Sequence, residues 1–341
     1  MINIGKQKKN KGSQAIGSLL TLVPRAKRNA RRLQLIGTRN FLLVLLVVGL
    51  VGCKSDSKNK DNGKLKVVAT TSIITDLLNQ IGGDAIEVQG LMGSGVDPHL
   101  YKASEGDVNK LFTADVVFYN GLHLEGKLVD IFERMEQQHK NTVAITDVLD
   151  RKGLLASEKF GSNYDPHIWF SLSFWKQITQ YTAEKLSELD PENAALFKEN
   201  SKNYLKELDA LEVELMAIIE TLPKEKRIVV TAHDAFNYFG MEYGFQVLGL
   251  QGLSTATEAG VQDVQRLSQF IIDNKVKSIF IETSVPRRNI EALQAAVLSK
   301  GHSVSIGGNL YSDALGTKGT VEGTYIGMFK HNVNTIVNAL K

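Results

Sequence analysis

Residues 95–101 (GVDPHLY) and 164–170 (YDPHIWF) carry the same tripeptide, Asp-Pro-His, with its histidines 68 positions apart. Histidine is scarce, seven in 341 residues, and two of the seven have the same rigid neighbours. An imidazole on a restrained loop is a metal ligand or a proton carrier. Proline fixes φ and limits how the loop delivers the ring. The aspartate two residues back, Asp97 or Asp165, is placed to accept the second ring N–H, as a metal-bound imidazole usually requires. His233 directly follows the apolar run RIVVTA, so it stands at the end of a strand. Any one of His99, His167 and His233 is most simply a surface or hydrogen-bonded core residue. Two copies of one rigid context plus a third histidine at a strand end favour a shared divalent-metal site. Three neutral imidazoles leave the charge of such an ion uncompensated, so a carboxylate is expected. Asp313 in GGNLYSDALG offers one, although read alone it is better explained as a turn residue ahead of a helix. His123 reads as a structural or supporting residue, and His139, His302 and His331 as surface residues. Tyr101, Trp169, Phe170 and Phe236 flank the ligands, where aromatic rings either exclude water or simply pack a core. Glu258, Arg287 and Arg288 are expected either near the mouth of the cleft or on a surface that faces a permease, without an assigned role.

The elements that must position these residues follow from periodicity. From Lys64, short apolar runs alternate with helical patterns: KLKVVAT, AIEVQGLM, DVVFYNG and TVAITDV as strands; IITDLLNQIGG, SEGDVNKLFTA and KLVDIFERMEQQ as helices. Ser104 with Asp107 three residues on makes a helix start. The pattern restarts with the strands RIVVTAH, FQVLGL, KSIFIET and SVSIGG and the helices AFNYFGMEYG, VQRLSQFIIDNK and NIEALQAAVLSKG. Such alternation predicts two α/β halves with parallel sheets, which bind ligands beyond the carboxyl ends of their strands. Between them, after Asp190-Pro191, one apolar stripe (Phe197, Tyr204, Leu208, Leu211, Leu215, Ile218, Leu222) predicts a helix of about 30 residues that Pro223 stops. It is not a Gly/Ser-rich hinge, and it reads as a rigid spine along both halves. The expected divisions are a signal segment at 1–52, a polar tether at 53–63, an N-terminal lobe at 64–189, the linking helix at 190–223 and a C-terminal lobe at 224–341.

Residues 1–52 hold ten Lys or Arg and no Asp or Glu, and end in the apolar run FLLVLLVVGLVG. That run is too short for a bilayer-crossing helix, which needs about 20 residues, but it suits the apolar region of a secretory signal. A small residue before Cys53, the sole cysteine, resembles a bacterial lipoprotein cleavage box. Cleavage before Cys53 and acylation of its thiol are the implied chemistry, and KSDSKNKDNGK after it is a tether. Without residues 1–52 the chain carries 30 basic against 37 acidic side chains, a net of −7. The basic balance of the whole chain, +3, therefore belongs to the signal and does not argue for nucleic-acid binding. With one cysteine the chain forms no internal disulfide.

Together GVDPHLY, NGLHLEG, DPHIWF, TAHDAFNYFG, GLQGLST, IFIETSVP, GGNLYSDALG and GTYIGM resemble the metal-binding lipoproteins of bacterial zinc and manganese ABC importers, the TroA-like group of solute-binding proteins. The resemblance covers residues 64–341. It implies two α/β lobes, each with a parallel β-sheet flanked by helices, joined by one long rigid backbone helix. It implies metal ligands at His99, His167, His233 and Asp313, with Zn²⁺ or Mn²⁺, and also Fe²⁺, as the transported ion and no catalytic cofactor. Some manganese-type members have Glu where this chain has His233. Many zinc-specific members insert a His- and acid-rich loop between the first two ligands, an interval that holds only His123 and His139 here. The implied function is capture of the ion between the lobes and delivery to an ABC permease driven by a cytoplasmic ATPase. The implied protein is a monomer, held by a lipid on Cys53 at the outer face of the bacterial cytoplasmic membrane. It is not an enzyme. A metal-dependent hydrolase using the same residues and an adhesin are the alternatives.

Overall fold

A strand buried between two helix layers reads as a continuous apolar run, and LKVVA does so: strand β1 (Leu65–Ala69) ends in three buried residues. The computed structural model describes residues 63–157 and 161–341. The signal at 1–52, Cys53 and the tether up to residue 62 lie outside the described residues.

After β1 the Thr71 hydroxyl accepts the Ile74 N–H at 3.3 Å and caps α1 (Ser72–Gly82). Gly83, at φ 51°, supplies the turn that ends the helix. Then come β2 (Ile86–Gly90), α2 (Glu105–Thr113), β3 (Val116–Tyr119), α3 (Val129–Gln137) and β4 (Asn141–Ala144). The capping box expected at Ser104 and Asp107 forms at the start of α2. All four strands are parallel, in the order β2-β1-β3-β4. TVAITDV is strand only in its first half, because Ile145–Val148 tightens into a 3₁₀ turn.

Helix α4 (Leu172–Leu189) opens on a Ser171 cap, and α5 (Ala194–Glu220) is the spine, 27 residues or about 40 Å long. Its buried face is Phe197, Ser201, Tyr204, Leu208, Leu211, Leu215 and Ile219. At the C-terminal end Ile219, not Ile218, holds the centre of the stripe. The helix packs on α1 and α4 on the N-terminal side and on the last helix on the other.

The second lobe repeats the first: β5 (Ile228–His233), α6 (Asn237–Tyr243), β6 (Gln246–Gln251), α7 (Val261–Asp273), β7 (Ser278–Glu282), α8 (Arg288–Ser299), β8 (Ser305–Leu310) and α9 (Tyr325–Leu340). Its strands form two parallel pairs, β5–β6 and β7–β8, with β5 lying beside β7. The spatial order therefore matches that of the first lobe, but no ladder joins β5 to β7. Helices α4 and α9 meet through Trp175 and Tyr325, stacked at 4.7 Å. One apolar cluster runs from Val67 and Leu77 through Leu211 to Phe329 and Leu340, which ties both lobes to the spine. Among the described residues no helix is long and apolar enough to cross a membrane.

Candidate metal centre

The carboxyl ends of the strands of both lobes face one cleft, and four side chains converge there. His99 comes from the loop after β2, and His167 from the loop ahead of α4. His233 is the last residue of β5, and Asp313 follows β8. All four are buried, and one ligand atom of each lies within 4.8 Å of every other. The Nε2 atoms of His99 and His167 are 3.3 Å apart. Asp313 Oδ2 is 3.3 Å from His233 Nε2 and 3.9 Å from His99 Nε2, and Oδ1 is 3.6 Å from His167 Nε2. A tetrahedral ion with bonds of about 2.0–2.1 Å has edges of about 3.3–3.4 Å, so the two shortest separations already have that span. The carboxylate turns one oxygen to each side, which also permits bidentate ligation.

Supporting groups fix how the rings face. His167 Nδ1 lies 2.7 Å from Asp165 Oδ1, and His233 Nδ1 lies 2.6 Å from Glu282 Oε2. A carboxylate accepts, so each Nδ1 carries a proton and each Nε2 faces the site, where it binds a metal once it is free of a proton. Asp165 Oδ1 also accepts the His167 backbone N–H at 2.9 Å, and Glu282 Oε1 accepts that of His233 at 2.9 Å. Asp97 behaves differently from its counterpart in the other tripeptide. Its Oδ1 accepts the His99 backbone N–H at 2.8 Å, and its Oδ2 accepts the Thr255 hydroxyl at 2.5 Å. The expected contact from aspartate to its own histidine ring therefore forms in the second tripeptide, whereas the first turns its carboxylate across the cleft.

Two groups of the N-terminal lobe pin the Asp313 loop. Trp169 Nε1 donates to the Ser312 carbonyl at 2.9 Å, and the Ser72 hydroxyl accepts the Leu315 N–H at 2.9 Å. Phe170 stacks on Phe236 at 4.4 Å, both buried. Of the four aromatics only Tyr101 turns away, donating to Asp107 at the start of α2 at 2.8 Å. Gly249 lets β6 pass close to the turn after His233, where a Cβ would run into the Asp234 backbone. Behind the His167 loop, the Asn120 side chain donates to the Pro166 carbonyl at 3.1 Å, and buried Glu125 accepts both the Asn120 N–H and the Thr70 hydroxyl.

The electrostatics are those of a site built for a cation. Three buried polar atoms, His233 Nε2 and both oxygens of Asp313, have no hydrogen-bond partner among the described residues. Leaving such atoms unsatisfied is costly. Burial pushes the Asp313 carboxyl up, but the facing imidazoles outweigh it and hold it well below the usual carboxylate range. Burial, with the neighbouring histidines, drives His99 down to about 3 against the pull of Asp313. Burial also opposes the charged form of His233, yet Glu282 and Asp313 prevail and raise it well above 6.5. A divalent ion would satisfy all three unpartnered atoms and separate the two Nε2 atoms that face each other.

The remaining histidines stay outside. His123 and His139 are exposed, His302 is half-buried, and His331 sits 3.0 Å from the Asn309 carbonyl. Arg288 and Glu258 form an exposed pair at 3.7 Å, and Arg287 pairs with Glu291. Sequence reasoning missed Glu282 and Thr255. An acidic residue closing the otherwise apolar run SIFIE was a legible signal for Glu282. Thr255 lies in a loop whose composition gives none.

Two α/β lobes along one helix, each contributing two donors to a shared cleft, define a two-lobed binding protein. The chain belongs to the family described as zinc-uptake complex component A, periplasmic, whose model matches residues 67–339. It is 47% identical over 293 residues to the manganese-binding lipoprotein MntA of Bacillus subtilis, covering 86% of this chain and 95% of that one. It is 43% identical over 309 residues to the zinc-binding protein TroA of Treponema pallidum, covering 90% and 99%. The solved structure of periplasmic TroA from Treponema pallidum superposes with a TM-score of 0.79 at 45% identity, over 82% of this chain and 99% of that one. The family is one of substrate-binding components of transporters, not of enzymes.

Proposed function

We propose that this chain is the extracytoplasmic metal-binding lipoprotein of an ABC importer, holding one divalent transition-metal ion with His99, His167, His233 and Asp313 and passing it to a membrane permease powered by a cytoplasmic ATPase. The observation that carries this is the buried set of four donors, two from each lobe, with three of their polar atoms unpartnered. Residues 64–189 and 224–341 act as the two jaws, and 190–223 is the spine that limits their relative motion. Residues 1–52 are the signal, and a lipid on Cys53, through the tether 53–63, holds a monomer at the outer face of the cytoplasmic membrane.

Imidazole and carboxylate donors suit Zn²⁺, Mn²⁺ and Fe²⁺. The relatives divide in the same way, one named for manganese and another for zinc. By the Irving–Williams order the site binds Zn²⁺ more tightly than Mn²⁺ in vitro. Calorimetry on metal-free protein tests this ranking, and tighter Mn²⁺ binding would reverse it. Elemental analysis of protein from its own host identifies the ion carried in the cell. One equivalent of zinc or manganese in wild type, lost in His233→Ala and Asp313→Ala, is the expected result; an unchanged metal content in both variants refutes the assignment.

A further inference from the structure

We propose that Asp97 and Thr255 form the positioning contact that holds His99 against the opposite lobe and sets the rate at which the bound ion leaves. This rests on the four-donor reading above. The two Asp-Pro-His loops are anchored differently. Asp165 reaches the C-terminal lobe twice, and Leu155, paired with it, once more. Asp165 Oδ2 accepts from Asn237 Nδ2 at 3.0 Å, its carbonyl accepts the Tyr238 hydroxyl at 3.1 Å, and that hydroxyl accepts the Leu155 N–H at 3.1 Å. Asp97 reaches it through the Thr255 hydroxyl.

The Asp97 carboxylate bridges two elements that belong to different lobes. One oxygen fixes the backbone of His99, and the other takes a buried hydroxyl 158 residues along the chain. Thr255 is itself held in place. Gln251 donates to the Thr255 and Thr257 carbonyls at 3.5 and 3.0 Å and accepts from Asn289 at 3.2 Å. Gln251 is also the register partner of His233 on β6. The path from His99 through Asp97, Thr255 and Gln251 thus ends beside a ligand of the other lobe. An ion cannot leave a buried four-donor shell until one donor withdraws, and the Asp97–Thr255 hydrogen bond ties the His99 loop across the cleft. A charge-assisted hydrogen bond that must break first slows that withdrawal.

The test follows Zn²⁺ release from the loaded full-length protein into an excess of a chromophoric chelator. Thr255→Val and Thr255→Ala are expected to release Zn²⁺ about tenfold faster, the effect of losing one hydrogen bond to a charged group. Thr255→Ser, which keeps the hydroxyl, restores the wild-type rate. The association rate and the melting temperature of the metal-free protein change little, which separates a latch from a general loss of packing. Wild-type release rates in both Thr255→Val and Thr255→Ala, or failure of serine to restore the rate, overturn the proposal. If wild type takes up no Zn²⁺, or His99→Ala retains it as tightly, the four-donor reading itself fails and the latch fails with it.

Discussion

The two Asp-Pro-His loops share a sequence and differ in what their aspartates do. Asp165 spends one oxygen on its own histidine, gripping both the ring Nδ1–H and the backbone N–H, and the other on α6. Asp97 grips only the backbone of its histidine and extends its second oxygen to Thr255. A short motif therefore fixes a loop's shape, through proline and the aspartate-to-backbone hydrogen bond. What stands opposite decides where the spare carboxylate oxygen goes. Beside His167 the neighbour is a helix that brings Asn237 and Tyr238 to bear. Beside His99 it is an irregular loop.

The largest effect should come from removing a ligand, and there the two loops should not differ. His99→Ala and His167→Ala are each expected to lose more than about 100-fold in metal affinity, since even supporting residues cost about 10–100-fold. Chelator competition measures both, and a tenfold disparity between them would break the symmetry. The next change separates the loops. Asp165→Asn is expected to weaken equilibrium affinity by about 10–100-fold, because the His167 ring loses the acceptor that orients it. Asp97→Asn should cost less affinity, and through faster release with an unchanged association rate. An equal or larger loss in Asp97→Asn would show that the two aspartates act alike.

A smaller effect lies in stability. Tyr238→Phe removes the hydroxyl shared by Leu155 and Asp165 and should cost the metal-free protein about 1 kcal/mol in urea unfolding. Thr255→Val should cost less. The last effect is on protons. A group whose pKa is raised keeps its proton at neutral pH and must give it up to bind a metal. His233 is raised well above 6.5 and His99 is held down to about 3. Binding near pH 7 should therefore displace the proton of His233 and none from His99. Affinity should climb as pH rises from about 6.5 through the higher value for His233. Calorimetry in buffers of different ionisation enthalpy counts the protons released, and zero would contradict the assignment to His233.

Much of this was legible in the sequence. Alternating apolar runs located all eight strands, five of them in full, missing the first residue of β4, the last of β6 and the last two of β8, and the stripe along α5 revealed the spine. Helices α4 and α9 were not read, although Ser171 and Thr324 cap them with ordinary chemistry. Both are amphipathic, and their role as bridges between the lobes belongs to tertiary packing. The three histidines stood out because rigid contexts are rare for so scarce a residue. Asp313 did not stand out from its own loop, since a turn aspartate and a ligand look alike until the other donors are in place. Glu282 and Thr255 act through contacts 49 and 158 residues away, and no local pattern encodes such distances.

The carboxylate of Glu282 has a second consequence. It closes the seam between β5 and β7, where no backbone ladder runs, by taking both the amide and the ring of residue 233. An acidic side chain at 233, the choice that the family resemblance attributes to some manganese carriers, would set two like charges face to face in a dry interior. A swap from imidazole to carboxylate at 233 would therefore need that repulsion offset, by a proton shared with Glu282 or by the charge of the bound ion.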